Sequence, residues 1–139
     1  MLLLDTHVWV WALEGNRRRI GRRTRTVLAR AEADDAVRVS PVSVFEVTAL
    51  HTLGRLRLTQ RPDEWIREAL ETSGARIAEL SASAAVDAGA ITRDALPDPL
   101  DRLLVATARH THATFLTCDE RILKYAAIDP GLRVHDARR

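Results

Sequence analysis

Pro97-Asp98-Pro99-Leu100-Asp101-Arg102-Leu103-Leu104-Val105-Ala106-Thr107-Ala108-Arg109, running on to Thr114-Phe115-Leu116-Thr117-Cys118-Asp119, decides how this 139-residue chain folds. It reads as a helix followed by a strand. Pro97 and Pro99 fix the helix start, because proline is tolerated in a first helical turn and blocks extension backwards. Asp98 stands where an N-cap carboxylate belongs. Leu100, Leu104 and Thr107, flanked by Leu103 and Ala108, make an apolar stripe at helical spacing. Asp101 breaks the pattern. Its helix neighbours are Leu104, Val105 and Ala108, so it borders the buried side, where a carboxylate is costly unless something meets it. The strand Thr114–Thr117 then leads to a second carboxylate, Asp119.

The same strand, carboxylate, helix order opens the chain. Leu2-Leu3-Leu4 is an apolar run suited to a strand buried on both faces, Asp5-Thr6 ends it, and Val8, Trp9, Ala12 and Leu13 follow at helical spacing. Gly15-Asn16 closes that helix, and another is expected from near Ile20 through Val27, Leu28 and Ala31. Val37-Arg38-Val39 alternates as a strand. Ser40-Pro41 opens a helix to about Leu53, closed by Gly54, with Val42, Phe45, Ala49 and Leu53 as its expected apolar stripe. Glu46 falls within that stripe, either turned inward or at its edge with the carboxylate reaching water. Pro62-Asp63-Glu64 starts a helix carrying Trp65, Ile66, Ala69 and Leu70. Ala75 to Leu80 reads as a strand with Ile77 central. Ser81 caps a helix through Ala85, Val86, Ala88, Gly89 and Ile91. Glu120 to Tyr125 suggests one short helical turn, Leu132-Arg133-Val134 a last strand, and Asp136 to Arg139 a frayed tail.

Length and composition set the bounds. The chain, residues 1–139, is the size of one domain with a real core, and 46% apolar residues fit a globular protein. No apolar run approaches the roughly 20 residues that span a bilayer. Met1-Leu2-Leu3-Leu4 is too short for a signal-peptide core, so a cytoplasmic location is the default expectation. Cys118 alone excludes an internal disulfide or a cysteine-built zinc site. The net charge is +2, carried by 21 basic residues of which only Lys124 is lysine. Such arginine bias arises either from a GC-rich genome or from selection for phosphate binding. Arg17, Arg18, Arg19, Arg22, Arg23 and Arg25 crowd one short stretch. They read as a solvated helix face or as a phosphate-attracting patch in which Arg18, Arg22 and Arg25 would meet a polyanion backbone. No aromatic residue interleaves with them in sequence.

Strands alternating with helices imply an α/β fold: a parallel sheet of four to five short strands wrapped by helices. In such sheets ligands bind at the carboxyl ends of the strands. Asp5 and Asp119 follow strands there, and Glu46 and Asp101 lie in the first two turns of helices that begin at that edge. The four acids can therefore converge. Close unpaired carboxylates repel, and a hard divalent cation, magnesium or manganese, removes the conflict with oxygen ligands and retained waters. Such a centre suits phosphodiester hydrolysis. Taken singly, Asp5, Asp98 and Asp119 read equally well as helix caps. Thr6 and Thr117 are placed to hydrogen-bond the carboxylates, and His7 either contacts substrate or packs locally. A haloacid-dehalogenase-type phosphatase needs two aspartates two apart after strand one, and Asp5-Thr6-His7 supplies one. A phospho-receiver lacks its acid pair, and no Gly-rich phosphate loop is present.

Leu3-Leu4-Asp5-Thr6-His7, Val39-Ser40-Pro41-Val42-Ser43-Val44-Phe45-Glu46, Asp98-Pro99-Leu100-Asp101-Arg102-Leu103-Leu104-Val105-Ala106 and Leu116-Thr117-Cys118-Asp119 together resemble a PIN-domain ribonuclease of the VapC branch of bacterial toxin–antitoxin pairs. The resemblance spans nearly the whole chain, and its Asp-Pro-x-Asp-Arg-Leu-Leu string is the most specific part. It implies a single PIN domain and a metal-dependent endoribonuclease toxin using magnesium or manganese. Asp5, Glu46, Asp101 and Asp119 would be its metal-binding and catalytic acids. Asp98 is similar to an extra acid of one branch. The family also implies an RNA substrate, a homodimer and a small cognate antitoxin whose tail blocks the site. Two departures stand out. Ala95-Leu96-Pro97 occupies a place where this branch often has a histidine, and the tail after Val134 is polar and basic where an apolar end is more usual. A protein of this fold that binds nucleic acid or regulates without turnover is the alternative.

Overall fold

The computed structural model describes residues 1–139. Five strands form one parallel sheet: β1 (Leu2–Leu4), β2 (Val37–Val39), β3 (Arg76–Ile77), β4 (Thr114–Thr117) and β5 (Arg133–Asp136), in the order β3-β2-β1-β4-β5. Seven α-helices surround it: α1 (Thr6–Leu13), α2 (Arg22–Ala33), α3 (Pro41–Thr52), α4 (Pro62–Glu71), α5 (Ala82–Ala90), α6 (Pro99–Thr111) and α7 (Glu120–Ala126). The chain builds outward from β1 through β2 to β3, then crosses back to lay β4 on the other side of β1. The reversal point lies between β1 and β4, and at such a point the crevice beyond the strand ends is open to a ligand.

The strand sequences explain the layering. Alternate strand residues face opposite sides of a sheet. Leu2 and Leu4 of β1 join Val37, Val39 and Leu116 in one core, with Val8, Trp9, Val47 and Trp65 from the helices. Leu3 and Phe115 point the other way, to Leu104, Val105 and Ala108 of α6 and Ile122 of α7. Both faces are covered, so the apolar run Leu2–Leu4 of β1 and the Phe115-Leu116 pair of β4 are required rather than incidental. Trp9 and Trp65 meet edge to face with centroids 4.9 Å apart, and the Trp65 indole N–H donates to Glu14 Oε1 at 2.8 Å. α5 packs against α6 through Ala84, Ala88 and Ala106. No helix is long and apolar enough to cross a membrane.

Several expectations need correction. The buried side of α3 is Val42, Ser43 and Val47, while Phe45 and Leu53 are 61% and 67% exposed. The helix is therefore rotated from its expected stripe, because Ser43 finds a buried polar partner. The strand expected over Ala75–Leu80 shrinks to Arg76–Ile77 at the sheet edge, with Ile77 exposed. Val86 of α5 is exposed as well, the packing side being Ala84 and Ala88. The arginine-rich stretch begins with a 3-10 turn at Arg17–Arg19, Ile20 is buried, and α2 starts at Arg22 after Gly21.

The tail is docked rather than frayed. β5 continues to Asp136, and Ala137 is fully buried. The Gly21 and Thr24 amides donate to the Ala137 and Arg139 carbonyls, each at 2.9 Å. A Cβ on Gly21 would fall 1.9 Å from the Arg139 carbonyl oxygen, so only glycine admits this contact. The tail thus takes up backbone N–H groups that the start of α2 would otherwise leave unpaired.

Candidate active site

Asp5 continues directly from β1 and caps α1. Its Oδ1 accepts the Thr6 amide at 2.8 Å and its Oδ2 accepts the Thr117 hydroxyl at 2.6 Å. The carboxylate is buried, and burial raises its pKa, against the pull of the Thr117 and Thr6 hydrogen bonds and the His7 charge. Thr117, the last residue of β4, works in two directions, because its hydroxyl oxygen also accepts the Asp119 amide at 3.0 Å. Asp119 in turn caps α7, accepting the Arg121 and Ile122 amides at 2.8 and 3.4 Å. One buried hydroxyl therefore sets the spacing between the acids that end β1 and β4.

Glu46 and Asp101 arrive from helices. Ser40 caps α3 through the Val42 amide, and Glu46 projects half-buried from its second turn. α6 runs back along β4, so its N-terminus lies at the carboxyl edge of the sheet. Asp98 caps it, accepting the Leu100 amide at 2.8 Å, and Asp101 sits half-buried in its first turn. The Asp101 carboxyl is pushed up to about 7, first by burial and then by the charges of Asp98, Asp5, Asp119 and Glu46. Those four groups are thus near enough for their charges to act on Asp101. None of the five acids forms an ion pair: the seven salt bridges of the protein use other carboxylates, and even Arg102, beside Asp101, makes none.

Acids without basic partners carry carboxylate oxygens, the donor type suited to magnesium or manganese rather than to softer metals. No three acid, histidine or cysteine side chains are drawn together into a ready-made cage. That spacing accords with mutual repulsion of carboxylates. Thr117 holds Asp5 as the sequence suggests. Thr6 differs: its amide serves Asp5, but its hydroxyl donates to Ser43 Oγ at 2.9 Å. Sequence reasoning does not single out Ser43. Its only signal is a serine one turn ahead of Glu46, and its role depends on a contact with α1. It ties α3 to α1 three residues before Glu46. Arg18, Arg22 and Arg25 are exposed on the 3-10 turn and the first turn of α2, and the charges acting most on Asp5 and Asp101 come from other groups.

Fold and site together define an α/β protein in which two carboxylates, Asp5 and Asp119, follow the strands on either side of the reversal point of a parallel sheet. The chain belongs to the PIN domain family, which residues 2–128 match. In structure it is similar to VapBC2 from Rickettsia felis bound to a DNA fragment from its promoter, with a TM-score of 0.69 and 17% identity over 97% of each chain. It is also similar to a toxin–antitoxin complex from Klebsiella pneumoniae, with a TM-score of 0.61 and 20% identity over 99% of this chain and 98% of that one. A third similar structure is FitAB bound to an IR36 DNA fragment, at a TM-score of 0.60 and 18% identity over 100% and 96% of the two chains. No curated protein matches the chain significantly in sequence.

Proposed function

We propose that this protein is a metal-dependent endoribonuclease, the toxin of a VapC-like toxin–antitoxin pair acting in the cytoplasm. The observation that carries the reading is Asp101: a half-buried carboxylate with no ion-pair partner, surrounded by the charges of Asp98, Asp5, Asp119 and Glu46. A fold gains nothing from such crowding unless a cation enters it.

Asp5, Glu46, Asp101 and Asp119 would hold magnesium or manganese, which lowers the pKa of bound water and polarises a phosphoryl oxygen. The protein's own part is positioning. Thr117 and the Thr6 amide fix the two Asp5 oxygens, the start of α7 fixes Asp119, and Ser43 steadies α3 beneath Glu46. In hydrolysis the water oxygen bonds to phosphorus, one phosphodiester P–O bond breaks, and the departing oxygen takes up a proton. Arg18, Arg22 and Arg25 would attract the RNA backbone toward this edge. The structural neighbour titled a toxin–antitoxin complex supports an antitoxin as partner, and a homodimer is what the family resemblance implies for the working form.

The deciding experiment is sequencing of RNA ends after induced expression, wild type against Asp5→Asn and Asp101→Asn. New ends that require both carboxylates are expected. Identical RNA ends in cells expressing wild type and the variants would leave a binding or regulatory protein as the better account.

A further inference from the structure

The exposed side of α1 carries a strip of side chains that starts two residues from Asp5. His7 lies exposed in the first turn. Trp11 follows one turn later, its ring centroid 6.3 Å from that of His7 and the planes tilted by 54°. Arg19 reaches back from the 3-10 turn to place its guanidinium carbon 5.4 Å from the centroid of Trp11. Trp11 itself rests on the core beneath. The arginine stretch lacks aromatics in sequence, and folding supplies one.

We propose that His7 and Arg19, both held against Trp11, form a stacking subsite for an unpaired RNA base beside the scissile phosphate. The proposal rests on the nuclease reading above. Single-stranded bases are recognised by stacking on aromatic rings and on guanidinium planes. Here Trp11 lies beside both surfaces: the Arg19 guanidinium carbon sits over the indole, and Arg19 and His7 are both exposed to solvent. Arg19 forms no ion pair, nor do Arg17, Arg18, Arg22, Arg23 or Arg25. The strip therefore sits in unneutralised positive charge, which suits a polyanion. Stacking accepts any base, since each has a π-face. The subsite would then fix where a strand lies without reading its sequence.

Binding is measured in chelator, so that no cleavage intervenes, with short single-stranded RNAs carrying one abasic position moved along the strand. For wild type, one abasic position should weaken binding roughly 5- to 150-fold relative to intact RNA, the range for losing a stacked base. Arg19→Lys keeps the charge but not the plane. It and His7→Ala should each reduce that preference while the protein stays folded, and Arg19→Lys should leave the salt dependence unchanged. Wild type binding every oligomer alike overturns the subsite. So do variants that discriminate as wild type does, which would assign the strip to a protein partner. A parallel cleavage assay with manganese separates the two claims. Cleavage without base preference removes only the subsite, and base preference without cleavage removes only the nuclease.

Discussion

Two pairs of acids are placed in the fold by different routes. Asp5 and Asp119 end strands and are built into the backbone: each caps a helix, and Thr117 ties one to the other. Glu46 and Asp101 project from helices and form no hydrogen bond or ion pair within the protein; Asp98, not Asp101, caps α6. The first pair would have a place in a protein with no activity. Asp101 would not, since a half-buried acid among acids opposes folding, and Glu46 has no partner in the protein to explain it. The helical pair therefore carries the functional argument, and the strand-end pair carries the geometry.

The largest expected effect tests that division directly. Glu46→Gln and Asp101→Asn should each lower RNA cleavage about a hundredfold or more, the scale of removing one electrostatic contact to a developing charge. Thermal stability in chelator should hold or rise. Asp5→Ala and Asp119→Ala should lose comparable activity and also melt lower. Cleavage assays beside calorimetry on all four proteins read both axes, and full activity in folded Asp101→Asn would sink the assignment.

Metal dependence sharpens the comparison next. The Asp101 carboxyl titrates near 7 in the metal-free fold, above its ordinary value of 3.8. A value raised by folding means that ionisation opposes the fold, so metal-free stability should fall as pH rises from about 4 through about 7. Asp101→Asn should flatten that fall and melt higher than wild type in chelator at neutral pH. Manganese should reverse the order, because binding to the folded state alone stabilises by about 2.7 kcal/mol at a hundred times the dissociation constant. Melts of both proteins with chelator and with manganese would show the crossing. If Asp101→Asn is less stable in both conditions, Asp101 has a structural role that its surroundings do not reveal.

Much of this arrangement is legible in the sequence, and what is not has a common cause. Leu2–Leu4 and Thr114–Thr117 announce buried parallel strands because both faces of such a strand must be apolar, and Asp98 and Ser40 announce helix starts because a cap acts locally. The misreadings turn on distant contacts. Phe45 and Leu53 read as part of the buried stripe of α3, and the helix instead buries Ser43, which bonds to Thr6 of α1. Asp136 to Arg139 reads as a loose end, and only Gly21 gives it a seat. Arg19 reads as one more surface charge until it meets Trp11. Asp101 needs no such partner to be noticed, since its conflict with its own helix neighbours is local.

A smaller effect concerns the tie between the two strand-end acids. Thr117→Val keeps the shape of the side chain but removes the donor to Asp5 Oδ2 and the acceptor for the Asp119 amide. Unsatisfied groups of this kind cost about 1–3 kcal/mol each when buried, and Thr117→Ser should recover most of the loss. Equal stability of the Thr117→Val and Thr117→Ser proteins, measured by denaturant titration, would mean that water replaces the hydroxyl.

The smallest effect separates capping from charge. Asp98 and Asp119 both cap helices, through Leu100 in one case and Arg121 in the other. Replacing either with alanine should cost about 0.5–2 kcal/mol of stability. Asparagine caps about as well as aspartate, so Asp98→Asn and Asp119→Asn should cost little in stability. Their activities should then diverge. Asp119→Asn removes a carboxylate from the proposed cation set and should be nearly inactive. Asp98→Asn removes only a neighbouring charge from Asp101, so it should retain most activity and let the Asp101 carboxyl titrate lower in chelator, a shift that carboxylate NMR would report. If Asp98→Asn is as inactive as Asp119→Asn while equally stable, then Asp98 is a fifth member of the cation site, and a cap no longer accounts for it.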